Sequence, residues 1–324
     1  YVGATRKSER GEGSRGDFGS EMARQELADR LKAPKPPEAR LSDIAYVNGA
    51  YTPLADARIS ILDRGFLFAD GVYEVAAVID GRLIDNDAHL ARLERSLKEL
   101  RLESPVSMTE IVEIEKQLVA RNNVSEGMVY LQITRGAAER DFSFPKGVKA
   151  TLVGFAQKKN ILASPYAEKG ISVITVPDLR WARRDIKSVA LLAQVLAKQA
   201  ATEAGCQEAW MVDADGFVTE GSSSTAFIVT KSGAIVTRPN SSMILPGCTR
   251  RSVLALAERH GLAFEERAFS VAEAHEAAEA FLTSASNLVL PIVAIDGKTI
   301  GDGAPGPHAR KLRALTQIKL NFEM

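Results

Sequence analysis

At 324 residues, with 41 basic and 41 acidic side chains, the chain exceeds what one hydrophobic core usually organises and lacks the bias that favours nucleic acid or anionic membrane. Its two cysteines, Cys206 and Cys248, form no CxxC or Cys/His spacing, which argues against a disulfide framework or a metal site and fits free thiols in a cytoplasmic protein. The longest charge-free apolar run, about residues 188–197, is far short of the roughly 18 residues that span a bilayer.

Residues 1–43 are polar, contain no signal-peptide core, and include a Pro-rich stretch at 32–38 that favours extended backbone. They read as a flexible extension with at most one short helix, over 21–31. From Ile44 the pattern becomes that of strands. Residues 45–51 surround an Asn48-Gly49 turn, and residues 71–79 and 82–84 flank Asp80-Gly81, which predicts two hairpins.

Helical spacing follows, with Asp87 as N-cap and Leu90, Leu93, Leu97 and Leu100 as a core-facing stripe. A second helix over 108–121 and strands over 128–134 and 150–155 complete an N-terminal α+β domain, residues 44–157. The polar segment 158–164 is the expected linker, and residues 165–324 are the second domain, so the fold class is a two-domain α+β or α/β protein. In that second half a strand at 171–176 precedes a helix predicted over 188–204, which Gly205 closes. Strands at 208–212 and 225–229 surround a turn and a small-residue run. A helix over 250–260 and a strand over 280–283 lead to Ser284-Ala285-Ser286.

Several residues in this layout can carry chemistry. Lys187 directly precedes the apolar run 189–192, where partial desolvation and neighbouring cations lower an amine's pKa as imine formation requires. On spacing alone it is more simply a solvated lysine at a helix start. Glu220 stands before Gly221 and Ser222–Ser224, where backbone and hydroxyl donors can keep a carboxylate ionised against a pyridine nitrogen; an ordinary polar turn has the same pattern. The turn Leu245-Pro-Gly-Cys-Thr249 feeds a helix N-terminus, which suits a phosphate or merely caps a loop. Arg92 offers a guanidinium fork or is a surface cation, and Ser223, Ser284 and Ser286 offer further donors.

Taken in order, residues 63–74 (DRGFLFADGVYE), 89–93 (HLARL), 134–140 (TRGAAER), 185–188 (DIKS), 219–224 (TEGSSS) and 243–250 (MILPGCTR) resemble the fold-type-IV pyridoxal-phosphate enzymes, specifically the D-amino-acid transaminases. The likeness covers about Tyr46 to Leu320. It implies an N-terminal α+β domain, a C-terminal mixed-sheet pseudo-barrel domain that binds pyridoxal 5'-phosphate, a cleft between them, and a homodimer. Lys187 would be the Schiff-base lysine and proton shuttle, and Glu220 the partner of the ring nitrogen. Arg92, Thr249, the backbone at Cys248, Ser223, Ser224 and the turn Ser284-Ala285-Ser286 would hold the cofactor. Tyr73, Arg140 and Phe142 would face the substrate, with Arg140 gripping the α-carboxylate from the neighbouring subunit.

The implied reaction is transamination between a D-amino acid such as D-alanine and a 2-oxo acid such as 2-oxoglutarate or pyruvate, in two half-reactions. Three positions depart from the family pattern: Phe142 replaces a histidine, Ala285 a threonine, and Thr225 a frequent asparagine. The alternatives within the same cofactor class are branched-chain L-amino-acid transaminases, R-selective amine transaminases and aminodeoxychorismate lyases; outside it stands a pyridoxal-phosphate-binding protein without turnover. Arg140 favours D-amino acids, because a simple amine offers a guanidinium nothing to bind.

Overall fold

The computed structural model describes residues 43–322. The polar extension, with the short helix expected over 21–31, lies outside the described residues. The first sheet comprises β1 (Ile44–Val47), β2 (Ala50–Pro53), β3 (Gly71–Ile79), β4 (Arg82–Leu83), β5 (Glu126–Thr134) and β6 (Thr151–Lys158), in the order β2-β1-β6-β5-β3-β4 with every pairing antiparallel. Both expected hairpins form. Asn48 and Gly49 have φ of 49° and 101°, and Asp80 and Gly81 have 49° and 74°, the positive pairs that match the twist of the flanking strands.

Three helices belong to this half: α1 (Arg64–Phe68), α2 (Asn86–Glu99) and α3 (Met108–Arg121). Leu93 and Leu97 of α2 and Ile111, Ile114 and Leu118 of α3 pack on Val129, Leu131 and Ile133 of β5 in one core. Ser107 and Glu110 form a reciprocal capping box at the start of α3. The N-cap of α2 is Asp85 rather than Asp87, which lies inside the first turn. Asp85 makes no side-chain cap bond because its carboxylate accepts from Ser252 at 2.9 Å and Lys319 at 2.7 Å, tying α2 to the second half.

The second sheet holds β7 (Ile171–Pro177), β8 (Glu208–Val212), β9 (Val218–Gly221), β10 (Thr225–Val229), β11 (Ile235–Thr237), β12 (Phe264–Glu266), β13 (Glu279–Ser284), β14 (Leu288–Ile295) and β15 (Lys298–Thr299). Its order is β12-β11-β10-β13-β14-β7-β8-β9, with β15 beside β14; parallel and antiparallel pairings are mixed, and the sheet curls as a half-barrel. The helices here are α4 (Pro165–Lys169), α5 (Leu192–Glu203), α6 (Cys248–Arg259), α7 (Val271–Glu276) and α8 (Pro307–Phe322). Val253 and Ala257 of α6 and Ala309 and Leu312 of α8 pack on Phe227 and Phe281, whose rings stack at 4.7 Å. Such offset aromatic pairs add roughly 1 kcal/mol beyond their buried area.

One segment differs from the sequence expectation. The helix predicted over 188–204 begins only at Leu192, and it docks through small residues: Ala197 and Ala201 pack on Ala209 and Met211 of β8, while Leu192, at 72%, Val195 and Leu196 are exposed. Residues 187–189 are instead drawn out beside β3, where Tyr73 N donates to Lys187 O at 3.0 Å and Val189 N to Gly71 O at 3.1 Å. A backbone that bonds to a neighbouring strand cannot also close helical i→i−4 bonds. The polar segment after β6 is likewise tied down. Ile161 N and Leu162 N donate to Glu126 Oε1, and Arg313 donates to the carbonyls of Ile161 and Leu162.

Candidate active site

Between the two sheets lies a cavity of about 240 Å³, walled by Tyr73 and Arg92 on one side and by Lys187, β9, β10 and the start of α6 on the other. Lys187 reaches it from the extended segment. Its amide donates to Ser96 Oγ at 3.3 Å, and its Nζ lies 4.2 Å from the Tyr73 ring centroid, a cation–π distance. Tyr73 is itself stacked on Tyr130 at 5.5 Å, so the surface beneath the amine is rigid. A lysine on a strand-like segment is better fixed than one at a fraying helix start.

Glu220 is buried within β9, and its surroundings are not those expected from the serine run. Its carboxylate accepts from Arg180 and, at 3.2 Å, from Leu245 N. Burial pushes its pKa up, and the Arg180 guanidinium and the Leu245 amide pull it back only in part. The serine hydroxyls serve a second buried carboxylate, Glu208, which accepts from Ser222, from Ser224 at 3.0 Å and from Ser223 at 3.3 Å. The tight turn leaves no room for a side chain at Gly221, whose Cβ would fall 2.2 Å from Ser224 Oγ.

Arg92 is held from behind. Its Nε and Nη2 donate to the two oxygens of Glu74 at 2.8 and 2.7 Å, and its Nη1 donates to Pro246 O at 3.1 Å. His89 Nδ1 lies 2.9 Å from Glu74. Burial opposes ionisation of Glu74, yet Arg92 and His89 outweigh it and bring its pKa down to about 2. For His89 burial again opposes the charge, and contacts with Cys248 and Glu74 raise the pKa to about 9. The result at neutral pH is two cations around one carboxylate, a local excess of positive charge beside the N-terminus of α6.

That terminus is open toward an anion. Its N-cap is Gly247, which supplies no side-chain acceptor for the first amides, and Cys248 and Thr249 line the cavity. Thr283 Oγ1, buried in the same wall, has no hydrogen-bond partner. A phosphorylated pyridine aldehyde suits this donor set: guanidinium, helix amides and hydroxyls for the phosphate, a carboxyl for the ring nitrogen and an amine for the aldehyde.

Eleven residues singled out from sequence, Tyr73, Arg92, Lys187, Glu220, Ser223, Ser224, Cys248, Thr249, Ser284, Ala285 and Ser286, line this one cavity. Arg140 and Phe142 do not. Both are exposed, Phe142 at 79%, on the loop after β5. Sequence reasoning missed Glu74, His89, Arg180 and Glu208. His89 and Glu74 stood inside motifs without a role of their own, and Arg180 had a signal only in its position seven residues before Lys187. Arg180 joins Asp178, at 2.8 Å, to Glu220.

Residues 71–295 match the family described as amino-transferase class IV. The chain is 40% identical to a D-alanine aminotransferase of Bacillus licheniformis over 278 residues, 85% of this chain and 96% of that one. It is 38% identical to the D-alanine aminotransferase of Staphylococcus haemolyticus, over 83% of this chain and 94% of that one. Among solved structures it is similar to a T.th. branched-chain amino acid aminotransferase complexed with N-(5'-phosphopyridoxyl)-L-glutamate. The TM-score is 0.81 and the identity 26%, covering 87% of this chain and 95% of that one.

Proposed function

Because the chain belongs to the class IV aminotransferases, enzymes that work through pyridoxal 5'-phosphate, we propose that it moves the amino group of a D-amino acid such as D-alanine to a 2-oxo acid such as pyruvate or 2-oxoglutarate. The observation that carries this reading is the convergence of Lys187, Glu220 and the Arg92–α6 anion site on one cavity. The bound cofactor supplies an electron sink for the negative charge that develops at the substrate's α-carbon.

The remaining work belongs to the chain's own residues. Arg92, Thr249, the amide at Cys248 and the turn from Ser284 to Ser286 bind the phosphate; Ser223 and Ser224 line the ring. Glu220, oriented by Arg180, holds a proton at the ring nitrogen. Lys187 would hold the cofactor through its aldehyde carbon and would move a proton between the substrate's α-carbon and cofactor C4'. Because Lys187 is pinned beside Tyr73, it serves one face, and that face sets D or L. Tyr73 and Arg140 bind the α-carboxylate. Arg140 acts from a second subunit, which accounts for its exposure on its own chain and makes the working unit a homodimer, placed in the cytoplasm.

One observation favours a second reading. Phe142 puts an apolar ring where the D-amino-acid pattern has a second carboxylate donor, which suits an R-amine without a carboxylate. Incubating the yellow holoenzyme with D-alanine, L-leucine and R-1-phenylethylamine in turn separates the readings. Loss of the cofactor's visible absorbance with D-alanine alone is expected; loss with L-leucine or with the amine alone rejects the D-amino-acid reading.

A further inference from the structure

One guanidinium of the cavity wall is satisfied less well than the others. Arg92 is satisfied by both oxygens of Glu74, and Arg180 by Asp178 and Glu220. Arg250, also in the wall, donates through Nη2 to Arg238 O and to Glu266, although its Nε is buried without a hydrogen-bond partner among the described residues. Arg184 is different. Its one side-chain hydrogen bond runs from Nη1 to Met243 Sδ at 3.0 Å, and a thioether is a weak acceptor. Its Nε is buried with no hydrogen-bond partner, although it lies 3.3 Å from Asp178 Oδ2. That oxygen already accepts from Arg180 and from Thr219, so one carboxylate is shared between two guanidiniums.

The position of Arg184 gives these unfilled donors a direction. Its side chain is 10% exposed and lines the cavity beside Trp181, Leu191 and Gln194, whose Oε1 is also buried and unpartnered. Its backbone is fixed by donation to Ser242 O at 3.1 Å, and it lies three residues before Lys187 on the same segment. A planar guanidinium with free donors, close along the chain to the amine that handles the α-carbon, fits a second planar carboxylate.

We propose that Arg184 is a specificity-determining residue that binds the distal carboxylate of a dicarboxylic substrate, a D-amino acid with an acidic side chain or the corresponding 2-oxo diacid. This rests on the transaminase reading, in which Arg140 takes the α-carboxylate and Arg92 with α6 takes the phosphate, so the remaining cation serves neither. Arg184→Met keeps volume and removes the charge; Arg184→Lys keeps the charge and loses the fork.

The test uses the holoenzyme and three readouts. First, kcat/KM is measured for D-glutamate and D-alanine in wild type and both variants. The ratio of the two is expected to fall tenfold or more in Arg184→Met and to recover in part in Arg184→Lys. Second, binding of the unreactive acids glutarate and butyrate is read from the cofactor absorbance; glutarate is expected to weaken about tenfold in Arg184→Met, butyrate hardly at all. Third, cofactor affinity is measured by dialysis and is expected to stay within twofold.

Equal losses for D-glutamate and D-alanine would overturn the proposal, since Arg184 would then act only through Asp178 and the fold. A lowered cofactor affinity with unchanged glutarate binding would overturn it too, because Arg184 would then hold the cofactor. Should wild type turn over neither amino acid, the transaminase reading fails, while selective glutarate binding lost in Arg184→Met would still support the subsite.

Discussion

The wall behind Arg92 and the loop that carries Arg140 hold the same kind of side chain under opposite conditions. Arg92 is nearly buried, clamped by two charge-assisted bonds to Glu74 and backed by His89. Arg140 is exposed, and its described partners are the rings of Phe68 and Phe142 at 5.4 and 5.6 Å. A buried guanidinium needs a carboxylate to offset desolvation, and the pair then aims it without any ligand. An exposed one is fully solvated and has no fixed aim until something binds it. The wall behind Arg92 is therefore preorganised within one chain, whereas Arg140, in the proposed function, takes its aim only from a second subunit.

The largest effect expected from the interior is that of Lys187→Ala, which should abolish multiple turnover while the phosphate site retains some cofactor without a covalent link. Borohydride reduction of wild type followed by peptide mapping should find the pyridoxyl adduct on Lys187. An adduct on Lys198 instead would break the comparison at its centre.

Next comes Glu74→Ala, which leaves Arg92 and His89 buried without their counter-charge and should cost about 3–5 kcal/mol of stability together with phosphate affinity. Denaturant titration and inorganic phosphate binding measure both. A variant with wild-type stability would show that the wall does not depend on the buried pair.

From the loop, Arg140→Ala should leave stability unchanged and lower kcat/KM for D-alanine about ten- to a hundredfold, the loss of one charge-assisted pair worth roughly 1.5–3 kcal/mol. R-1-phenylethylamine should lose little. Phe142→His should raise D-alanine efficiency by adding a donor. Equal proportional losses for both substrates in Arg140→Ala would mean that the residue supports the loop and reads no carboxylate.

The last effect, confined to one pH window, is a pH dependence of the interior. Glu115 of α3 is buried and accepts from Asn86 Nδ2 at 2.6 Å, with His89 and Glu74 in its field. Burial raises its pKa to about 7 from an ordinary 4.5. The folded state then binds the proton more tightly than the unfolded one, so this group's contribution to stability is full below about pH 4.5 and is lost as pH rises to about 7. Glu115→Gln should be as stable as wild type at pH 4 and more stable by up to about 3 kcal/mol at pH 8. Subtracting the two pH profiles removes the separate contribution of His89, which is lost only between about 6.5 and 9. A flat difference profile would place the Glu115 carboxyl in water.

Much of the site was readable as motif before any fold was known. Lys187, Glu220, Arg92 and Thr249 lie in short runs whose residue types already suggest an amine, a carboxyl and an anion cradle. Turn dipeptides and the leucine stripe marked both hairpins and α2 because these depend on φ preferences and spacing along the chain, which are local. The start of α5 was not local. Residues 188–191 have helical composition, yet the segment 187–189 bonds to β3, a strand more than a hundred residues earlier, and no propensity records that partner.

The sequence by itself determined the family, through motifs whose residue identities and order it carries, and with the family the cofactor; it also marked the hairpins and α2, which depend on short-range spacing. The tertiary structure alone decided which carboxylate faces which cation. Ser222–Ser224 serve Glu208 and not the adjacent Glu220, Arg180 serves Glu220 and Asp178, and Arg184 is left with a thioether and a share of Asp178. Electrostatic pairing in a buried site depends on separations of about 3 Å between groups far apart in the chain, and only the packing of the two sheets sets those separations.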